Sequence, residues 1–232
     1  MKPRFSNQRN HALTLIEVLV VIVVVAILVA VFLPAIEGNN HHPASRINCV
    51  NNLKEIALSY RVWAGDNNDK FPMQISVTNG GTMELAATGN VVATFQIMSN
   101  ELSTPKILYC TSDKNHTWAT NFTTGFSAKN ISYFVGLETA NTNQQIFLSG
   151  DDNFIVDGGA VKSGLVQIAA NANVSWASGR HVSYDAHFWT PPHDKFVGNI
   201  GLADGSVQMV TTRGLQQAIQ NTGLATNRLA IP

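Results

Sequence analysis

Residues 12–36 read ALTLIEVLVVIVVVAILVAVFLPAI, and this stretch decides the architecture. From Val18 to Leu33 it holds no polar side chain, and from Leu13 to Ile36 it is 24 residues long. A run of about 20 apolar residues matches the thickness of a bilayer. In lipid the backbone can bond only to itself, so the run is expected to be helical despite its β-branched valines. Two residues mark it as more than a plain anchor. Glu17 puts a carboxylate five positions into the apolar stretch, where a charge costs a few kcal/mol and marks a function with a partner. Pro34, near the far end, is expected to bend or loosen the helix.

Lys2, Arg4 and Arg9 precede the run and no acid does, which is expected to hold the N-terminus on the cytoplasmic side. The 232 residues carry 15 basic and 15 acidic side chains and are 45% hydrophobic and 13% charged. Without residues 1–12, 12 basic side chains face 15 acidic ones, a net charge of −3. No basic patch of the kind that binds nucleic acid stands out, so no nucleic-acid partner is expected. Cys49 and Cys110 are the two cysteines. Two fit one disulfide and do not make a metal framework; export would permit oxidation, the alternative being two buried thiols.

Past the apolar run, EGNNHHP (37–43) reads as a helix-breaking linker, in which His41 and His42 are expected to be solvated. Ile47, Val50, Leu53, Ala57, Tyr60 and Ala64 then recur at steps of three or four, the mark of an amphipathic helix from Ala44 to Ala64. GDNNDKFP (65–72) reads as a solvated turn rather than a calcium loop, since it lacks the later bidentate acid. Residues 92–102 predict a short helix. KILYC (106–110), ISYFVG (131–136), QIFLSG (145–150), LVQIA (165–169) and NVSWAS (173–178) read as strands. VGNIGLADGSVQMV (197–210) predicts a hairpin with a two-residue turn at Asp204-Gly205. Thr212 is then expected to cap a helix from Arg213 to Asn221.

The N-terminal stretch resembles that of type IV pilins and pseudopilins: a short basic leader, a cleavage point, then a hydrophobic helix with Glu at mature position five and Pro at position 22. A cut between Ala12 and Leu13 places Glu17 and Pro34 at both positions. Ala12 and Leu13 depart from the commoner Gly and Phe. The resemblance implies that a prepilin peptidase cuts after Ala12 and methylates the amine of Leu13. It also implies that Glu17 neutralises the amine of a neighbouring subunit, which would make a buried charge tolerable. RINCVNNLKEIALSYRVWAGDNNDKFPM, LSTPKILYCTSD, NISYFVG, GNIGLADGSVQ and NTGLATNRLAIP look like the pseudopilin-like proteins of Verrucomicrobia, relatives of the type II secretion major pseudopilin. Some carry a His separated by nine residues from Asp-Gly; here ten residues separate His193 from Asp204, and no role is transferred to it.

Chemistry elsewhere is sparse. His181, Asp185, His187, His193, Asp194 and Asp204 crowd into 24 residues, but no recognised catalytic spacing or phosphate loop occurs. Ser175 and Ser178 lack any sign of activation. The segment reads as a polar, aromatic loop on the head surface, and no catalytic residue and no enzyme activity are expected. The major pseudopilins bind calcium in a C-terminal loop. Asp151, Asp152 and Asp157, or Asp185 and Asp194, would offer oxygens here, yet no spacing chooses among them; calcium stays open with no ligands assigned, and no other cofactor is expected.

The expectation is therefore an α+β chain: a leader (1–12), a transmembrane and assembly helix (13–36), a hinge linker (37–43) and a periplasmic head (44–232). Its helix, half transmembrane and half amphipathic, packs on a small antiparallel sheet. The expected role is a structural subunit of a type II secretion pseudopilus or type IV pilus-like filament. Its partners would be prepilin peptidase, other pilin-like subunits and the bacterial inner membrane, crossed once. A membrane-tethered periplasmic binding protein that builds no filament is the alternative, and a tethered hydrolase using the histidine-rich loop the third reading.

Overall fold

A computed structural model describes residues 15–36, 41–138, 143–177, 180–181 and 195–232; at 30–36 and 41–44 it describes the backbone alone. The chain forms two compact units, Met1–Asn40 and His41–Pro232.

The first unit is α1 (Leu15–Ile36). Every side chain described in it, from Leu15 to Val29, is exposed, so the helix is apolar all round and has no core of its own to bury against. Among the described residues no helix is long and apolar enough to cross a membrane; the side chains described in α1 stop at Val29, and the sequence runs on as AVFLPAI. The helix continues two residues past Pro34.

The second unit opens with α2 (His41–Asp66). Three residues of the expected linker, His41 to Pro43, therefore belong to a helix, while 37–40 lie outside the described residues. Proline is tolerated there because the first-turn N–H groups have no intrahelical acceptor. The buried face of α2 runs through Cys49, Leu53, Ile56, Ala57, Tyr60, Trp63 and Ala64. Ile47, placed on that stripe by its spacing, is 54% exposed, because a buried Cys49 turns Ile47 outward. Asn68 and Asp69, past the helix, both adopt positive φ, which Asn and Asp tolerate best among residues with a Cβ.

Short helices follow: α3 (Met83–Ala87), α4 (Val91–Ile97) and α5 (Ser99–Leu102), the last two covering the expected helix at 92–102. KILYC is not a strand. Pro105 opens a 3-10 turn over Pro105–Leu108, and the Thr104 hydroxyl accepts from the Lys106 N–H. Proline fits a first helical position and supplies no N–H to a sheet.

The remainder forms two sheets. Strands β1 (Tyr133–Gly136), β2 (Phe147–Asp151), β5 (Gly164–Ala169), β7 (Val197–Leu202), β8 (Val207–Thr211) and β9 (Thr226–Ile231) make a six-stranded sheet in the order β5-β9-β1-β2-β7-β8. All its pairs are antiparallel. Strands β3 (Phe154–Val156), β4 (Gly159–Ala160) and β6 (Val174–Trp176) make a smaller one. Alternation in β1 builds two cores: Tyr133 and Val135 join the α2 side, and Phe134 joins Phe154, Trp176 and α6 (Thr212–Asn221) on the other. Each large side chain fully buried this way contributes roughly 1.5–3 kcal/mol. Gly198 lets the Trp176 indole lie on the sheet, since a Cβ there would fall 2.5 Å from the ring. The β7–β8 turn is longer than expected. Leu202 N–H donates to Ser206 O, Gly205 N–H donates to Leu202 O, and of the turn residues Gly205 alone has positive φ. That is a type I turn followed by a left-handed glycine. The cap of α6 is Thr211, one residue earlier than expected, with its hydroxyl accepting from Gly214 N–H.

Candidate functional site

Among the described residues two places carry chemistry, one in each unit. On α1, Glu17 lies in the first turn and is exposed among apolar neighbours. A carboxylate at a helix N-terminus is favoured by the helix dipole, which eases its cost there. Ala12 and Leu13, the expected processing residues, lie outside the described residues. Pro34 sits in the last turn of α1.

The second place is a buried ionic cluster in the head. Cys49 of α2 and Cys110 are joined by a disulfide with a Cα separation of 5.1 Å. Cys110 N–H donates to the Ser132 hydroxyl, which ties this segment to the chain entering β1. Three residues on, Asp113 is buried. Its Oδ1 accepts the Asn115 N–H, and its Oδ2 accepts from His116 Nδ1 at 2.7 Å and from the Arg180 guanidinium. Asp151 and Asp152, at the end of β2, face the same guanidinium, with Nη2 2.7 Å from Asp152 Oδ1 and Nη1 3.8 Å from Asp151 Oδ1. Arg180 Nη1 also donates to Ser132 O. Asp151 Oδ2 accepts from the backbone and side-chain amides of Asn199 on β7. His181 is buried, its Nε2 3.5 Å from Asp151 Oδ2 and 3.7 Å from Cys110 Sγ.

The electrostatics follow from burial and pairing. Burial pushes the Asp113 carboxyl up, but the His116 hydrogen bond, the Arg180 charge and the Asn115 amide outweigh it and hold the group at about 2. Burial carries Asp152 the other way, to about 6, with Arg180 and His116 offsetting only part of the penalty. For His116, burial favours the neutral ring, yet the Asp113 hydrogen bond and the Asp152 charge leave its pKa raised. Arg180 is likewise raised by its three carboxylates against the cost of burial. Among the contacts described in the cluster, one guanidinium thus faces three buried acids. Such a cluster fixes geometry more than it adds net stability.

The sequence expectations fare unevenly here. His181 is not on a head-surface loop; it is 3% exposed, packed by the disulfide and Asp151. Asp185, His187, His193 and Asp194 lie outside the described residues. Asp204 is an exposed turn residue accepting from Ser206 N–H. Of the acids considered for calcium, Asp151 and Asp152 meet in the cluster, and Asp157 instead accepts from Asn173 N–H in the β3–β4 turn. Asp113, His116 and Arg180 escaped notice. The available signal was an acid doublet directly after the apolar run IFLSG, and an Arg beside a singled-out His.

Residues 7–33 match the model of the prokaryotic N-terminal methylation motif. No curated protein and no solved structure matches the chain. The motif covers the leader, Ala12, Leu13 and Glu17 and ends one residue before Pro34. It implies processing by a prepilin peptidase and pilin-like assembly in general, with a membrane-anchored N-terminus. The chain carries, at residues 7–33, the N-terminal motif of prepilin-type, pilin-like proteins.

Proposed function

We propose that the chain is a structural, non-catalytic subunit of a type II secretion pseudopilus or type IV pilus-like filament, related to the verrucomicrobial pseudopilin-like proteins. Prepilin peptidase removes residues 1–12, the subunit waits in the inner membrane with its head in the periplasm, and it then enters the filament through α1. The observation that carries this reading is the methylation motif at residues 7–33, with Glu17 in register on a helix whose described side chains are all exposed. Leu13 to Ile36 as a helix reaches about 36 Å, against a hydrocarbon core of about 30 Å. Exposed apolar side chains of this kind call for lipid before assembly and neighbouring helices after it. The carboxylate of Glu17 is then matched by the amine of Leu13 on a neighbour.

The second reading is a membrane-tethered periplasmic binding protein that uses the same N-terminus without forming filaments. Glu17→Ala separates the two. The assembly reading expects normal processing and loss of fibres or of filament-dependent export. A processed Glu17→Ala variant with unchanged fibres and export would sink it.

A further inference from the structure

The buried cluster contains a pairing that protons and Arg180 leave unfinished. Asp113 Oδ2 is an acceptor, so the nitrogen 2.7 Å from it, His116 Nδ1, carries the hydrogen. In the neutral ring Nε2 then bears the lone pair. That lone pair stands 3.9 Å from Asp152 Oδ2, another electron-rich atom, too far for a hydrogen bond. Something positive between them would turn repulsion into attraction. Asp152 Oδ1 lies 2.7 Å from Arg180 Nη2, and Asp113 is occupied at both oxygens.

Charge points the same way. Among the described residues the cluster sets Asp113, Asp151 and Asp152 against Arg180, and a proton on His116 would still leave one acid in excess. Among the described residues Asp151 Oδ1 is buried without a hydrogen-bond partner, and the nearest guanidinium nitrogen is 3.8 Å away. Excess buried charge is costly unless a counter-charge is present.

We propose that His116 Nε2 and Asp152 Oδ2 are the protein ligands of a divalent cation of the zinc class, with water completing its coordination. A tetrahedral zinc with N and O ligands at about 2.0–2.2 Å needs an N···O edge of roughly 3.4 Å, so the pair closes by about half an ångström. Each ligand has a supporting partner of the kind metal sites use: Asp113 fixes the tautomer and tilt of His116, and Arg180 holds Asp152. The side chains of His116 and Asp152 keep 15% and 9% exposure against 1% for Asp113, so the ligand pair lies on the outer side of the cluster. An imidazole nitrogen selects zinc-class metals over calcium, which takes six to eight oxygens. The inference is independent of the filament reading.

The test uses the full chain in detergent micelles, disulfide intact, stripped with chelator, with His41→Ala and His42→Ala in every sample to remove that histidine pair. Titration with Zn2+ is expected to give one saturable site per chain and a higher unfolding temperature, with Ca2+ at the same concentration producing neither. His116→Gln abolishes the site while leaving the circular dichroism unchanged, and Asp113→Asn weakens it about 10- to 100-fold. Co2+ in place of Zn2+ gives d–d absorption without a thiolate charge-transfer band. The proposal is overturned by no saturable binding at millimolar Zn2+, by binding that His116→Gln leaves intact, or by a preference for Ca2+. Should Asp113→Asn fail to fold, His116→Gln, on a partly exposed residue, still decides.

Discussion

The helix α1 and the buried cluster of the head treat charge in opposite ways. In α1 one carboxylate, Glu17, stands exposed in an apolar helix that has no fold of its own to support it. In the head, three carboxylates are buried around one guanidinium, held by a disulfide, a strand end and two amides of Asn199. On the proposed assembly reading the first arrangement is completed by another molecule, and the second is completed mostly by its own chain. A charge out of place then has two meanings: beside exposed apolar surface it addresses a partner, and inside a core it positions the fold.

The largest effect separating the two regions is expected at Arg180. Arg180→Met leaves three buried acids without their guanidinium, and loss of one partner from a buried ionic group costs about 3–5 kcal/mol. Urea unfolding of the chain in micelles measures it; a loss under about 1 kcal/mol would show that the acids do not depend on Arg180. Next comes the disulfide. It closes a loop of 61 residues, so Cys49→Ser with Cys110→Ser is expected to cost about 4 kcal/mol, chiefly through the unfolded chain.

The contrast also explains what could be read from the sequence. A pattern confined to one helix needs no tertiary knowledge, so the apolar run, Glu17 and Pro34 were legible residue by residue. So were β1, β2, β5 and β6, whose apolar runs stand between turn residues. The cluster draws Cys110, Asp113 and His116 from one loop, Asp151 and Asp152 from a strand end, and Arg180 and His181 from another segment. No local period links these positions. KILYC misled because apolar content alone does not tell a strand from a 3-10 turn, and Pro105 with its Thr104 cap decided. The C-terminal strand β9 was missed as a strand, since ATNRLAIP mixes polar and apolar residues and takes its place by pairing with β5 and β1.

A smaller effect probes the charge excess. With chelator present, Asp152→Asn is expected to cost well under what Arg180→Met costs, because it removes one of three acids around a single cation. Equal losses in the two variants would contradict the imbalance. The smallest expected effect falls in α1. Glu17→Ala should leave the unfolding of the head unchanged within about 0.5 kcal/mol, as surface substitutions do, while stopping assembly. A comparable loss of head stability would erase the distinction drawn between the two regions.

The most direct measurement is intact-mass and N-terminal analysis of the protein taken from the membrane of cells that make a prepilin peptidase. Processing at the motif predicts a chain that begins at Leu13, lacks residues 1–12 and carries one methyl group on its amine. A chain still beginning at Met1, or one that begins beyond Pro34, would contradict it.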